Sequence, residues 1–242
     1  MGVVGGPNVI DDGLVLSLDG RNYKSYPGSG TTWYDLTANN HDCAIGGASL
    51  QDASYPNPSF GFNGSTQFID APALSGVTTD WTVGVWFYPQ SVSNYENVID
   101  CNYGYAGSSG NIGPRLEMTS TGNLSWIWSG DTGNNSNYYY STVKASGLAA
   151  NTWHYAALSR NSSNQVIGAI DTEYTTGMNT VGSPSSTFVD EFSNINIARG
   201  FSLGGAERYL TGNVSTVHVY NRALSQAELR HNYNALRSRV GL

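Results

Sequence analysis

The residues with the clearest chemical capacity lie between Trp126 and Tyr140, in the run WIWSGDTGNNSNYYY. Recognition of a sugar needs an aromatic platform for the apolar ring face and short polar side chains for the hydroxyls. Trp126, Trp128, Tyr138, Tyr139 and Tyr140 offer the first, and the Asn, Gly and Ser residues between them offer the second. Tyr103 and Tyr105 stand in another Gly/Ser-rich stretch and are candidates for the same work. Alternation along a strand requires at least one of Tyr138, Tyr139 and Tyr140 to point away from the core. The same aromatics could instead fill a core or cover a sheet face, and tyrosine serves protein interfaces as well as glycans.

Residues that would support catalysis are not grouped. Hydrolysis of a glycosidic bond requires two carboxylates flanking it. Asp190 and Glu191 are adjacent and would face opposite sides of a strand, whereas Glu96 and Asp100 could share one face. An acid pair aligned on a sheet is more often incidental than catalytic. His41, His154, His218 and His231 fall in separate elements, and the chain has no G-x-S-x-G elbow for a nucleophile. His154, between Trp153 and Tyr155, reads as a hydrogen-bonded structural residue. The glycine-rich stretches do not follow phosphate- or dinucleotide-binding patterns. The expectation is a protein that is not an enzyme, with no catalytic residues and no organic cofactor.

The elements that must position these residues are strands. The chain has 242 residues, 29 of them Gly and 16 Tyr, with 39% hydrophobic and only 12% charged residues, a composition of short strands joined by polar turns. One all-β domain fits this length. The net charge of -7 repels phosphate backbones, which argues against a nucleic-acid partner. Arg222, Arg230, Arg237 and Arg239 cluster near the C-terminus and read as a solvated helix face. Cys43 and Cys101 form no C-x-x-C pair and read as two thiols buried in a core. The opening MGVVGGPNVIDD lacks the pattern of a secretory signal, and no run approaches the ~20 apolar residues of a membrane helix. No membrane insertion is expected.

Strand signals recur throughout, at residues 14–19, 41–45, 59–62, 67–70, 96–101, 114–118, 123–128, 138–144, 153–160, 166–173, 195–198 and 210–220. The strongest is Asp80–Pro89, with Trp81, Val83, Val85 and Phe87 on one face and Gly84, Trp86 and Tyr88 on the other. Bulk on both faces places it centrally in a sheet, and Pro89 ends it. One helix is expected at about 225–238. Ser225 and Glu228 make a capping box flanked by Leu224 and Leu229, and Leu229, Tyr233 and Leu236 recur at helical spacing. It should lie on the sandwich and cap an open end or edge. The expected architecture is all-β, a two-sheet antiparallel jelly-roll sandwich with one short C-terminal helix, comprising an arm at 1–12 and a single domain at 13–242.

Several segments carry a resemblance. Gly61–Ile69 is similar to an F-x-G-x-x-x-[YF]-[IV] hairpin, Asp80–Phe87 to an F-T-hydrophobic-x-W strand, Asn151–Leu158 to an x-W-H strand, and Gly212–Ser225 to a closing strand ending Y-N-R-A-L-S. In this order they resemble the laminin-G-like jelly-roll family within the concanavalin-like sandwiches. Glucanases of that group use an E-x-D-x-x-E run, which this sequence lacks. Calcium is the ion the resemblance brings to mind, and it needs converging carboxylates. The loop corresponding to the pentraxin site, Ala198–Tyr209, offers only Glu207 beside Arg199 and Arg208, so acidic clustering does not support a metal site. Asp19, Asp35 and Asp42 read as turn residues.

The opening GLVLSLDGRNYKSYPGSGTTWYDLTANNHD and the ending NYNALRSRVGL are similar to stand-alone laminin-G-like virion proteins of tailed bacteriophages of marine and cyanobacterial hosts. That resemblance implies a capsid decoration, head fibre or tail-associated adhesin, located in the virion after assembly in host cytoplasm. Its implied partners are other virion proteins, further copies of itself in a homo-oligomer, and host-surface polysaccharide. The alternative is a secreted or surface carbohydrate-binding lectin module, extracellular in location. Val3, Val4, Pro7, Val9 and Ile10 are the candidate assembly residues of the N-terminal arm, which would dock on a neighbouring subunit or on its own domain.

Overall fold

A computed structural model describes residues 8–46, 50–51, 59–102, 112–129, 137–183, 192–202 and 206–242. Tyr103, Tyr105, Val3, Val4, Pro7, Asp190 and Glu191 lie outside them. The strands begin with β1 (Leu14–Asp19), β2 (Thr32–Trp33), β3 (Cys43–Gly46), β4 (Leu50–Gln51), β5 (Phe60–Asn63), β6 (Phe68–Ala71) and β7 (Trp81–Pro89). They continue with β8 (Glu96–Asp100), β9 (Ile112–Met118), β10 (Leu124–Ser129), β11 (Tyr138–Lys144), β12 (His154–Arg160), β13 (Val166–Ile170) and β14 (Glu173–Thr175). The last are β15 (Asn179–Val181), β16 (Ile195–Ile197), β17 (Arg199–Phe201), β18 (Glu207–Tyr209) and β19 (Thr211–Tyr220), before α1 (Gln226–Leu236) and a 3-10 turn, Arg237–Val240.

Among the described residues the strands form two large antiparallel sheets. The first runs β14-β13-β12-β7-β19-β5-β4, with β1 also paired to β19; the second runs β15-β11-β10-β9-β8-β16-β6-β3-β2. Strand β7 is central, held between β12 and β19, as its two bulky faces require. Its Trp81, Val83, Val85 and Phe87 enter the core between the sheets, where they meet Trp126, Trp128, Leu116, Val217 and Val219. Trp86 points to the opposite face, and the missing side chain of Gly84 leaves the space Tyr155 crosses: a Cβ there would lie 2.7 Å from the tyrosine hydroxyl.

That opposite face carries a second core. Helix α1 lays Leu229, Tyr233 and Leu236 over Trp86, Tyr155 and Tyr220, with Trp86 and Tyr233 stacked at 5.4 Å. The helix therefore covers the broad outer face of the first sheet and does not cap an end or edge as expected, because Trp86, Tyr155 and Tyr220 present too much apolar surface to leave in water. Its capping box forms: the Ser225 hydroxyl accepts from the Glu228 N–H, and the Glu228 carboxylate accepts from the Ser225 N–H.

Val9 and Ile10 pack against this second core, and the Ile10 N–H donates to Asn232 Oδ1 at 2.8 Å. The described end of the arm thus docks on its own domain. Of the C-terminal arginines, Arg222 pairs with Asp12 at 2.9 Å and Glu228 at 2.7 Å, and Arg239 pairs with Asp19, so these two tie loops together and are not simply solvated. The stretch 166–173 is two strands and not one, broken where Asp171 turns with a φ of 53°. Residues 198–209, read as a loop, carry the hairpin β17–β18. Cys43 and Cys101 are both buried, and no disulfide joins them.

Candidate functional site

Helix α1 covers the outer face of the first sheet; among the described residues a groove lies on the outer face of the second. Along β11 the burial alternates: Tyr138, Tyr140, Thr142 and Lys144 are half-buried while Tyr139, Ser141 and Val143 are buried. Registered pairing carries the outward set across the neighbouring strands. Tyr140 lies opposite Ile127, which lies opposite Arg115; Thr142 lies opposite Ser125, which lies opposite Glu117. Tyr140 and Ile127 of the first row, with Thr142, Ser125 and Glu117 of the second, line a shallow groove of about 230 Å³. Its apolar surface comes from Tyr138, Tyr140, Ile127 and Val181, and its polar groups from Glu117, Thr119, Asn123, Ser125 and Thr142. The two tyrosine rings stand 6.1 Å apart at 51° to each other. Burial, with the neighbouring Tyr140 and Glu117, pushes the Tyr138 hydroxyl above its ordinary pKa, against a smaller lowering by Arg115, so it keeps its proton at neutral pH and can donate.

The structure divides the aromatic candidates. Tyr138 and Tyr140 reach the groove. Trp126, Trp128 and Tyr139 do not: the two tryptophans have no exposed surface, Trp128 stacks on Tyr139 at 6.0 Å, and Trp128 meets Trp81 edge-on at 6.4 Å. The alternation that puts Leu124, Trp126 and Trp128 on one side is real, and that side is the core. The groove is lined by their alternates, Ser125 and Ile127, together with Glu117, Thr119, Asn123, Thr142 and Val181, none of which was singled out from sequence. The available signal was the parity of β10: a core-facing Trp126 forces Ser125 and Ile127 outward.

Beside the groove, the outer face is closed by the β17–β18 hairpin. Arg199 reaches Asn196 Oδ1 at 2.6 Å and Asp70 at 3.1 Å, and it lies over the Phe68 ring, 3.3 Å from its centroid. Arg208 pairs with Glu117 at 2.6 Å and lies over Tyr95 at 4.5 Å. Arg115 donates to the Phe201 carbonyl at 2.6 Å. Gly200 permits the close approach, since a Cβ there would lie 2.3 Å from Asn97 Nδ2 and 2.8 Å from Asp100 Oδ2.

This hairpin also decides the fate of the Glu96/Asp100 pair. Asp100 accepts from the N–H groups of Asn102 at 3.1 Å and Phe201 at 3.4 Å, and Glu96 accepts from the Thr211 N–H at 3.0 Å. Both are buried, and burial raises the pKa of each. Their carboxylates fasten backbone and do not line the groove. His154 sits with Nδ1 2.9 Å from Asp171 Oδ2 and Nε2 2.9 Å from the Ala149 carbonyl. These two contacts hold the ring between β12 and its neighbours, as suits a positioning role.

Where a pentraxin-like calcium would sit, the hairpin supplies Arg199 and Arg208, each engaged with a carboxylate. Among the described residues no three His, Cys, Asp or Glu side chains converge as a metal site would need. Asp19 accepts from the Arg21 N–H and Asp35 from the Thr37 N–H, both turn contacts, while Asp42 accepts from the Asp35 N–H. Among the described residues no helix is long and apolar enough to cross a membrane.

Comparison with solved structures finds the same fold in proteins of very different sequence. The receptor binding domain of botulinum neurotoxin D superposes with a TM-score of 0.65 at 16% identity, over 92% of this chain and 52% of the toxin chain. The binding domain of Paraclostridial Mosquitocidal Protein 1 gives 0.65 at 14% identity, over 92% and 52%. The sialidase of Trypanosoma rangeli, solved with sialic acid, gives 0.68 at 15% identity, over 98% of this chain and 36% of the enzyme. The chain thus spans about half the length of the toxin domains and less of the sialidase, and at such identities the likeness is one of fold. No curated protein matches it in sequence. Residues 63–230, more than half of the chain, match a laminin-G model described as the concanavalin A-like lectin/glucanases superfamily, and the protein belongs to that family.

Proposed function

We propose that the protein is a non-catalytic carbohydrate-binding module whose ligand lies across the outer face of the second sheet, with Tyr138 and Tyr140 under the sugar rings. The observation that carries this is the groove itself: two half-exposed tyrosines and Ile127 form an apolar floor bordered by Ser125, Thr142, Asn123 and Glu117. Apolar rings with a few convergent hydroxyl, amide and carboxylate groups are what a sugar's two-sided surface requires. The engagement of Glu96 and Asp100 with backbone N–H groups supports the non-catalytic reading. The botulinum neurotoxin D domain of like fold is a receptor binding domain, and one sialidase of like fold was solved with sialic acid, which supports a binding role by analogy of fold.

Within that reading we place the protein on the particle of a tailed bacteriophage, as a capsid decoration, head fibre or tail-associated adhesin that assembles with other virion proteins or with itself and grips host-surface polysaccharide. The support is the phage-like run at residues 13–42. That run also has a structural task here: Asp35 accepts from the N–H groups of Ser17, Thr37 and His41 and so folds the loop after β1. A secreted or surface lectin is the second reading, and it shares the groove.

The test is a polysaccharide panel measured by affinity electrophoresis and calorimetry with the wild type and Tyr138→Ala/Tyr140→Ala. Saturable binding that the double variant loses supports the module. Binding unchanged in the double variant moves the site elsewhere, and the protein's absence from purified phage particles by mass spectrometry rejects the virion placement.

A further inference from the structure

We infer that the groove selects neutral sugar chains against acidic ones, and that Glu117 is the residue that imposes the choice; this rests on the carbohydrate reading above. Glu117 is the charged side chain among the described residues that line the groove, and it is only 7% exposed. Its carboxylate is held in place from two sides, by Arg208 of the hairpin at 2.6 Å and by Arg115 of its own strand at 3.8 Å. Neither arginine lines the groove. Among the described lining residues, the carboxylate is therefore the charged group that a ligand lying on Tyr138 and Tyr140 meets.

An ionised carboxylate accepts hydrogen bonds and donates none. It suits the hydroxyls of a neutral hexose, and the hydroxyls of Ser125 and Thr142 across the rows can both donate and accept. A uronic or sialic carboxylate in that place would face a like charge in a partly desolvated site, with no cation among the described lining residues to receive it. The chain's net charge of -7 acts in the same direction at longer range. Arg208 gives the hairpin its part in binding: it fixes the carboxylate's position from outside the groove, as a positioning residue.

Two variants test this on the full chain, against a soluble neutral β-glucan or galactan and a polygalacturonate of similar length. The wild type is expected to prefer the neutral polymer by at least about tenfold. Glu117→Gln should narrow that preference by about tenfold, while Glu117→Asp, which keeps the charge, retains it. Should Glu117→Gln fail to fold, Ser125→Lys adds a cation to the groove without touching the Arg208 pair, and should raise polygalacturonate binding by about tenfold. Wild-type preference for polygalacturonate overturns the inference and leaves the carbohydrate reading standing. So does a preference that neither Glu117→Gln nor Ser125→Lys changes. Failure to bind any polymer, neutral or acidic, sinks the carbohydrate reading and this inference with it.

Discussion

At the scale of single residues, the groove separates side chains that hold the fold from those that face a ligand. Tyr140→Ala should cost the fold little, within ~0.5 kcal/mol as for other partly exposed positions, while weakening carbohydrate binding by ~1–2 kcal/mol, about 5- to 30-fold. Trp128→Ala should do the reverse: with no exposed surface and with Trp81 and Tyr139 against it, its loss should cost ~3–5 kcal/mol in a denaturant melt. His218 gives a prediction in pH. Burial, with Arg239 nearby, lowers its pKa from 6.5 to about 4. In the unfolded chain the ring takes a proton as the pH drops below 6.5, and in the folded chain only near 4. Its contribution is therefore fully present above about 6.5 and is lost as the pH falls to 4. Over that window, urea melts should show a decline of about 3 kcal/mol from this group, absent in His218→Gln.

At the scale of elements, the hairpin and the helix are each held by contacts that one substitution can break. Gly200→Ala would drive a methyl into Asn97 and Asp100, and the hairpin must lift to make room. The expected result is faster amide exchange at Gly200, Phe201 and Arg208, with exchange in β7 and β19 unchanged. At α1, Ser225→Ala removes the acceptor for the Glu228 N–H and should cost ~1 kcal/mol. The Arg222 guanidinium, with the Ser225 contacts, holds the Glu228 carboxyl down to about 2, so the cap should persist in acid to well below pH 4. Far-UV circular dichroism of the intact chain and of Glu228→Gln across that range checks it.

At the scale of the whole molecule, the arm is the feature with two roles to separate. Val9 and Ile10 belong to the second core, and His231 and Asn232 fix the backbone at Asn8 and Ile10. Deleting residues 1–12 should lower the melting temperature below that of a chain lacking only 1–7, because Asn8, Val9, Ile10 and Asp12 make the described contacts. If the arm joins copies or other virion proteins, light scattering should show the particle shrink on deletion of 1–7 alone. An identical size in both forms would remove the arm from assembly.

Alternation of apolar residues and turn composition determined most of the longer strands, the central place of β7 and the capped helix. These are short-range consequences of side-chain chemistry and backbone geometry, so they can be read along the chain. Parity along β11 likewise determined that a tyrosine faces out. What parity could not give was the identity of the buried side of β10. Trp126 and Trp128 suit a core and a sugar platform equally in composition, and only their place in the core, where Trp81 packs on Trp128 and Phe192 on Trp81, assigns them inward. The groove joins Glu117, Ser125, Tyr140 and Val181 from four strands whose register is set by tertiary pairing. The placement of α1 was decided the same way, by Trp86 and Tyr155 arriving on one face from two strands. The hairpin's hold on Glu117 likewise depends on Arg208 and its carboxylate meeting across a long stretch of chain. Local propensity has no access to such meetings, because they exist only once the sheets have formed and the apolar surface has chosen its side.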